Sequence, residues 1–284
     1  MTENQWAELR QVGFATLDHE AAVRAATELL ELGPGFGDPL LAAIHLADFT
    51  APVGPDTYVE VLAPTTPDHS VARWLGRVGG SSGWVLATQV PSLDGVQERA
   101  AEHGVRIAVQ TQAMGHQIIQ LHPLDVGVLL ELDEFLPRQA WFWDDLPAAR
   151  AAHAARTRKA AKADDIVAVD VAAGDPAAMA HTWAAIIGLD PPVPTPDGAA
   201  LAFSRRTIRF VPPRSGRTGI VAVDVHATDR DHGVGRQGEL CHTLIRLTMR
   251  PKCGQMTIWT RMRMSKTTMT RASSPALRTW DFTG

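Results

Sequence analysis

Apolar and polar positions change period along the chain, and those changes mark its elements. Residues 11–17 read as a strand, Asp18 is placed to cap a helix, and Ala22, Ala26, Leu29 and Leu30 recur near helical spacing through 20–32. Gly33-Pro34-Gly35-Phe36-Gly37 then acts as a stop signal, since a phosphate-binding loop opens a helix rather than ending one. Strands are expected at 40–46 and 57–62, with room for one more. The order then recurs: a strand at 84–90, a helix at 93–103 ended by Gly104, and strands at 105–111, 117–121 and 127–132. Two such units predict one complete domain over 9–135.

Residues 136–163 read as a bridge. It holds the aromatic cluster Trp141-Phe142-Trp143 and an alanine- and arginine-rich helix over 147–162, whose charges suit a solvated face. A weaker echo of the repeat comes next, with a strand at 166–171, a helix at 176–187 opened by Pro176, and strands at 199–203, 207–211 and 219–225. The connection 226–238 is too rich in glycine and charge for a helix, so a trimmed fourth unit closes at 239–247. The expectation is a second, degenerate domain over 164–247. After Thr248 the composition shifts toward methionine and the apolar period is lost, which predicts a poorly ordered tail over 248–284.

Composition narrows the function classes without selecting one. In 284 residues, 45% hydrophobic and 20% charged describe a globular chain rather than a disordered one. A net charge of −4 gives no electrostatic footprint for nucleic acid or an anionic membrane. No apolar run approaches the ~18 residues of a membrane span. The polar start Met1-Thr2-Glu3-Asn4-Gln5 is not a secretory signal, so the cytoplasm is the expected location. Cys241 and Cys253 belong to no zinc-spaced cluster. The wealth of arginine, alanine, glycine and proline suggests a GC-rich bacterial genome.

The run Gln11-Val12-Gly13-Phe14-Ala15-Thr16-Leu17-Asp18-His19-Glu20 resembles the opening strand and capped helix of vicinal-oxygen-chelate proteins, the glyoxalase and bleomycin-resistance superfamily. Tyr58-Val59-Glu60-Val61-Leu62-Ala63-Pro64 is similar to the end of the first module in its methylmalonyl-CoA epimerases. Leu121-His122-Pro123-Leu124-Asp125-Val126-Gly127, with Leu129-Leu130-Glu131-Leu132, is similar to their last strand and the turn before it. The likeness covers 9–135 well and 165–247 poorly. It implies an α+β fold of repeated βαβββ modules, forming two domains of cupped mixed sheet with helices on the outer face. It also implies a divalent metal held by one side chain from each of four strands. Gln11, Glu60 and Glu131 fall at three of those places, while the remaining one falls on Trp84 or Val85, which bind no metal. In the second domain the matching places hold Val167, Arg209 and Ile220 or Val221.

Strand alternation groups Tyr58, Glu60 and Leu62, then Leu129 and Glu131, then Gln11, Gly13 and Ala15, each set on one face. The resemblance implies that these faces meet in one cup. Two carboxylates there require a metal, a basic partner, water or a shared proton. With a metal, an amide oxygen and two carboxylates favour Mg, Mn or Ca over Zn; without one, the pair supplies a general base of raised pKa. A glutamate facing solvent at a strand edge does neither. His45, His116 and His122 are pocket candidates. Their plain alternatives are packing for His45 and local backbone bonds for His116 and His122. Gly13, Ala15, Val85 and Ala87 form a small, apolar lining. The chain is expected to bind a small molecule, as a lyase or isomerase acting next to a carbonyl through Glu60 and Glu131. The alternative is metal-free sequestration of the bleomycin-resistance type. A non-catalytic module, with the degenerate second domain serving homodimer contact, is the third reading.

Overall fold

The first strand, β1 (Glu8–Ala15), is buried along its whole length and has a neighbour on each side, which makes it a centre of its sheet rather than an edge. Asp18 caps α1 (His19–Leu30) by accepting the Ala21 N–H, and Ala22, Ala26 and Leu30 are the residues the helix buries. The first unit continues through α2 (Pro39–Ala43), β2 (Leu46–Pro52), β3 (Tyr58–Pro64) and α3 (Ser70–Val78). The second runs β4 (Ser82–Val90), α4 (Val96–Glu102), β5 (Ile107–Ala113), β6 (His116–Leu121), α5 (Pro123–Val126) and β7 (Leu129–Glu134). Together they build a seven-stranded mixed sheet in the order β2-β3-β1-β4-β7-β6-β5. Within it β1 is parallel to β3 and β4 to β7, and the units join antiparallel at β1 and β4.

The strand expected at 40–46 is not formed. Asp38 caps a short helix there, Pro39 fills its first turn, and the strand begins only at Leu46. A cap followed by proline is a helix-start signal, and here it outweighs an apolar run too short to show its period.

This computed structural model describes residues 5–113, 115–158, 163–214, 216–228 and 237–249. Most of the connection expected at 226–238, and the tail beyond 249, lie outside the described residues. A 3-10 turn (Phe142–Asp145) and α6 (Pro147–Arg158) lead from the first sheet into β8 (Ala163–Ala172), α7 (Pro176–Ile187), β9 (Val193–Thr195), β10 (Gly198–Phe203) and β11 (Arg206–Val211). β12 (Gly219–Ala227), β13 (Gln237–Leu240) and β14 (Thr243–Thr248) complete a second sheet ordered β13-β14-β12-β8-β11-β10-β9. Its pairing repeats the first sheet: β8 is parallel to β11, β12 to β14, and β8 antiparallel to β12. Thus β12, β14, β8 and β11 hold the places of β1, β3, β4 and β7.

One apolar cluster runs through both sheets, from Val12, Phe14, Val61 and Leu130 to Val169, Phe210 and Val223, and takes in the buried sides of α1, α4 and α7. Gly83 permits close contact between the sheets, because a Cβ there would sit 2.5 Å from the Cβ of Ile220. Arg206, fully buried, bonds Asp56 at 2.6 Å and Asp165 at 2.8 Å, one from each half of the chain. With these faces joined, the opposite face of each sheet is free to line a hollow. Among the described residues, no helix is long and apolar enough to cross a membrane.

Candidate functional site

On β1, the residues that alternate with core-facing Val12 and Phe14 are Gln11, Gly13 and Ala15. Gln11 stands beside Tyr58 and Ala87, Gly13 beside Glu60 and Val85, and Ala87 beside Glu131. Gln11, Glu60 and Glu131 therefore share one face of one sheet. Gly13 makes the room: a Cβ there would meet Glu60 Oε2 at 2.8 Å and Val85 Cγ1 at 2.3 Å, so both side chains lie over bare backbone.

The acidic layer extends beyond the two glutamates. Asp48 and Thr50 stand opposite Leu62 and Glu60, Asp133 comes next after Glu131 on the same face, and Gln120 stands opposite Glu131 and donates to its carboxylate. Burial pushes the Glu60 carboxyl up to about 8, reinforced by the charges of Asp48 and Glu131 and opposed by an N–H of Gln11. Burial also raises Asp48 to about 6. Glu131 is held above the ordinary carboxylate range by burial, against the Gln120 bond; Asp133 lies well above it through burial and then the charge of Glu131. Asp133 is fully buried, and among the described residues neither of its carboxyl oxygens has a hydrogen-bond partner. Thr50 Oγ1, across from Glu60, is buried and unpartnered as well. The charges acting on these four carboxyls are all acidic. Raised to about 8, Glu60 keeps its proton at neutral pH.

Two apolar clusters bracket this layer. Trp141 and Trp143, with Ala149 and Ala152 of α6, pack with Phe36, Tyr58 and Ala87. Trp143 Nε1 donates to Gln11 Oε1 at 3.1 Å, which turns the Gln11 amide nitrogen toward Glu60. Ala15, Leu62, Trp74 and Leu75 form the other cluster, with Trp84 packed against Trp74 at a tilt of 58°, 4.3 Å between ring centroids. Ile118, Gln120 and Glu131 are only half-buried, so the acid layer is least covered on the β6–β7 side.

Trp84 and Val85, expected at the fourth ligand place, are not at the level of Gln11 and Glu131; Ala87 is. The β1–β4 register slips at two irregular points, and spacing along the chain does not reveal such slips. His116 lies on the hollow's face, buried and edge-on to Phe135 at 5.0 Å. His45 does not enter the hollow: it is exposed in a left-handed turn at φ 62°, and its carbonyl accepts from Thr65. His122 caps α5 by accepting the Leu124 N–H, the local role open to a turn histidine. In the second sheet, Ile220 faces the core rather than a ligand place. The residues missed by sequence reasoning are Asp48, Thr50, Gln120, Asp133 and Trp143. Alternation from Glu131 was a sufficient signal for Asp133 alone.

A divalent cation fits this donor set poorly. Gln11 Oε1 is engaged by Trp143 and Glu131 by Gln120, and the fourth strand offers only the methyl group of Ala87. Among the described residues, no three His, Cys, Asp or Glu side chains gather as an ion site.

No family model matches the chain, and no curated protein matches it significantly. Among solved structures, a methylmalonyl-CoA epimerase from Mycobacterium tuberculosis is 24% identical, with a TM-score of 0.40 over 49% of this chain and 95% of that one. A hypothetical protein from Bacillus halodurans is 22% identical, with a TM-score of 0.37 over 46% and 96%. A hypothetical protein from Staphylococcus aureus reaches a TM-score of 0.59 over 86% of this chain and 100% of its own, at 8% identity.

Proposed function

Because the chain folds into two cupped mixed sheets and one of them holds an acid layer with no cationic partner among the described residues, we propose that this hollow moves a proton on a small carbonyl compound. Isomerisation or epimerisation is the reaction class, and the activity named for the mycobacterial structure belongs to it. The observation that carries the reading is the unlike surroundings of two carboxyls on one face of the sheet, close enough for the charge of Glu131 to raise Glu60. Glu60 is buried and pushed up to about 8, chiefly by burial, while Glu131 is half-buried and accepts an N–H from Gln120, which opposes the rise that burial causes.

Glu131, the less covered of the two, removes the proton next to the carbonyl. Glu60 donates a hydrogen bond or its proton to the oxygen on which charge develops. Return of the proton to the other face of the same carbon, or to a neighbouring carbon, completes the reaction with no net change in atoms. Trp143 fixes the orientation of Gln11, and Gln11 in turn steadies Glu60. The aromatic walls on either side exclude water from the transfer. No step uses a metal.

The test is loss of the substrate's α-proton in D₂O, monitored by proton NMR over a panel of acyl thioesters and 2-oxo acids. Wild type exchanges at least one of them, and Glu131→Gln and Glu60→Gln each slow that exchange by about 10²–10⁴-fold. Exchange unaltered in both variants contradicts the reading, as does its absence with every compound. The aromatic wall of Phe36, Tyr58, Trp141 and Trp143 favours a second reading, sequestration of an apolar ligand without turnover. That reading expects thermal stabilisation by apolar compounds, undiminished in Glu131→Gln.

A further inference from the structure

We infer that the hollow of the second sheet is a separate binding site for a small organic anion bearing a carboxylate or phosphate group. Where the first hollow presents Gln11, Glu60, Ala87 and Glu131 from its four central strands, the second presents Asp224, Arg246, Asp170 and Arg209. These four side chains close a ring. Arg209 donates through Nε to Asp170 and through Nη2 to Asp224 at 2.7 Å; Arg246 donates through Nε to Asp224 and through Nη2 to Asp170 at 2.7 Å. Every aspartate oxygen thereby receives one N–H, and the acids are engaged rather than open to a cation.

The arginines are in the opposite position. Each uses Nε and Nη2 on the ring, leaving Nη1 without a partner among the described residues. Their side chains are about one-third exposed while the aspartates are 11% exposed, so the basic edge of the ring is the one that faces the hollow. The hollow measures about 580 Å³, and Val221, Val211, Pro212 and Leu244 supply apolar wall beside the arginines. That volume lies in the range of ligand sites, about 300–1,000 Å³. Arg214 and Arg217 also line it, as do the acids Asp197 and Glu239, the latter paired with His242. Guanidinium N–H groups not engaged within the protein are strong donors to carboxylate and phosphate oxygens. The first sheet presents Glu60 and Glu131 at two of the places where the second presents arginines, so the two cups differ in the ligands they suit.

The experiment titrates the full chain with inorganic phosphate and, separately, with benzoate, against sodium chloride of equal ionic strength. Arginine side-chain N–H signals are monitored by NMR. The expected result is a saturable shift of the Arg209 and Arg246 Nε–H signals, with a dissociation constant near the millimolar range, about 10-fold weaker in Arg246→Lys. Lysine keeps the charge that holds the aspartates but loses the Nη1 donor left for the ligand. Arg217→Ala, elsewhere in the lining, weakens the same titration without touching the ring, and Glu60→Gln leaves it unchanged. Signals that move only with ionic strength, or move not at all up to about 50 mM of either probe, overturn the inference. Affinity equal to wild type in both Arg246→Lys and Arg217→Ala does so too, and identifies the ring as a structural clasp.

Discussion

Replacing Glu60 by glutamine is expected to stabilise the protein, and more so as pH rises. In the folded chain Glu60 titrates at about 8, against its ordinary 4.5. Below about pH 4.5 both the folded and unfolded states hold the proton, and the group contributes no pH dependence. Between about 4.5 and 8 the unfolded chain releases a proton that the folded chain retains. Stability therefore falls with rising pH, by at most about 1.4 kcal/mol per pH unit, and levels off above 8. Over that interval the loss amounts to about 4–5 kcal/mol. Glutamine keeps the shape of the side chain and removes the titration. The variant should lie within about 1 kcal/mol of wild type near pH 4.5 and several kcal/mol above it at pH 8. Urea unfolding of the full chain, monitored by tryptophan fluorescence with a chelator present, measures both curves. Parallel curves between about pH 5 and 8, or a wild type that gains on the variant, would refute the reasoning, because Glu60 would then be solvated or neutralised by a cation.

Asp133→Asn is expected to raise stability by about 1–3 kcal/mol at pH 8, since it replaces an unpartnered buried carboxyl by a neutral amide; the same urea titration checks it. Gly13→Ala is expected to cost about 1–3 kcal/mol, because its methyl group meets Val85 and Glu60, and differential scanning calorimetry should show a lower Tm. Arg206→Met leaves Glu8, Asp56 and Asp165 without their common partner and should cost about 3–5 kcal/mol in urea unfolding, more than Arg205→Met, whose side chain is largely exposed.

Much of the architecture is legible in the sequence because its signals are local. Asp18 and Asp175 each cap a helix, and Pro176 opens the second of these, so α1 and α7 fall close to where patterning places them. The apolar run 40–46 misleads because a short helix and a short strand bury similar residues, and only Asp38-Pro39 distinguishes them. Glu60 and Glu131 are recognisable as cup residues by alternation joined to a family resemblance. The rest of the site depends on long-range pairing. Ala87 takes its level from slips in the β1–β4 register. Trp143 reaches Gln11 across 132 positions of chain, and nothing in the linker announces that return. The ring of Asp170, Arg209, Asp224 and Arg246 joins four strands whose order in space is not their order in sequence.

Carbon-13 NMR titration of the Glu60 side-chain carboxyl, in wild type and in Glu131→Gln, tests the acid layer most directly. A midpoint near 8 in wild type, falling when the neighbouring charge is removed, is the expected result. A midpoint near 4.5 that ignores the substitution would mean that Glu60 and Glu131 share no hollow, and the proposed proton chemistry would have no place to occur.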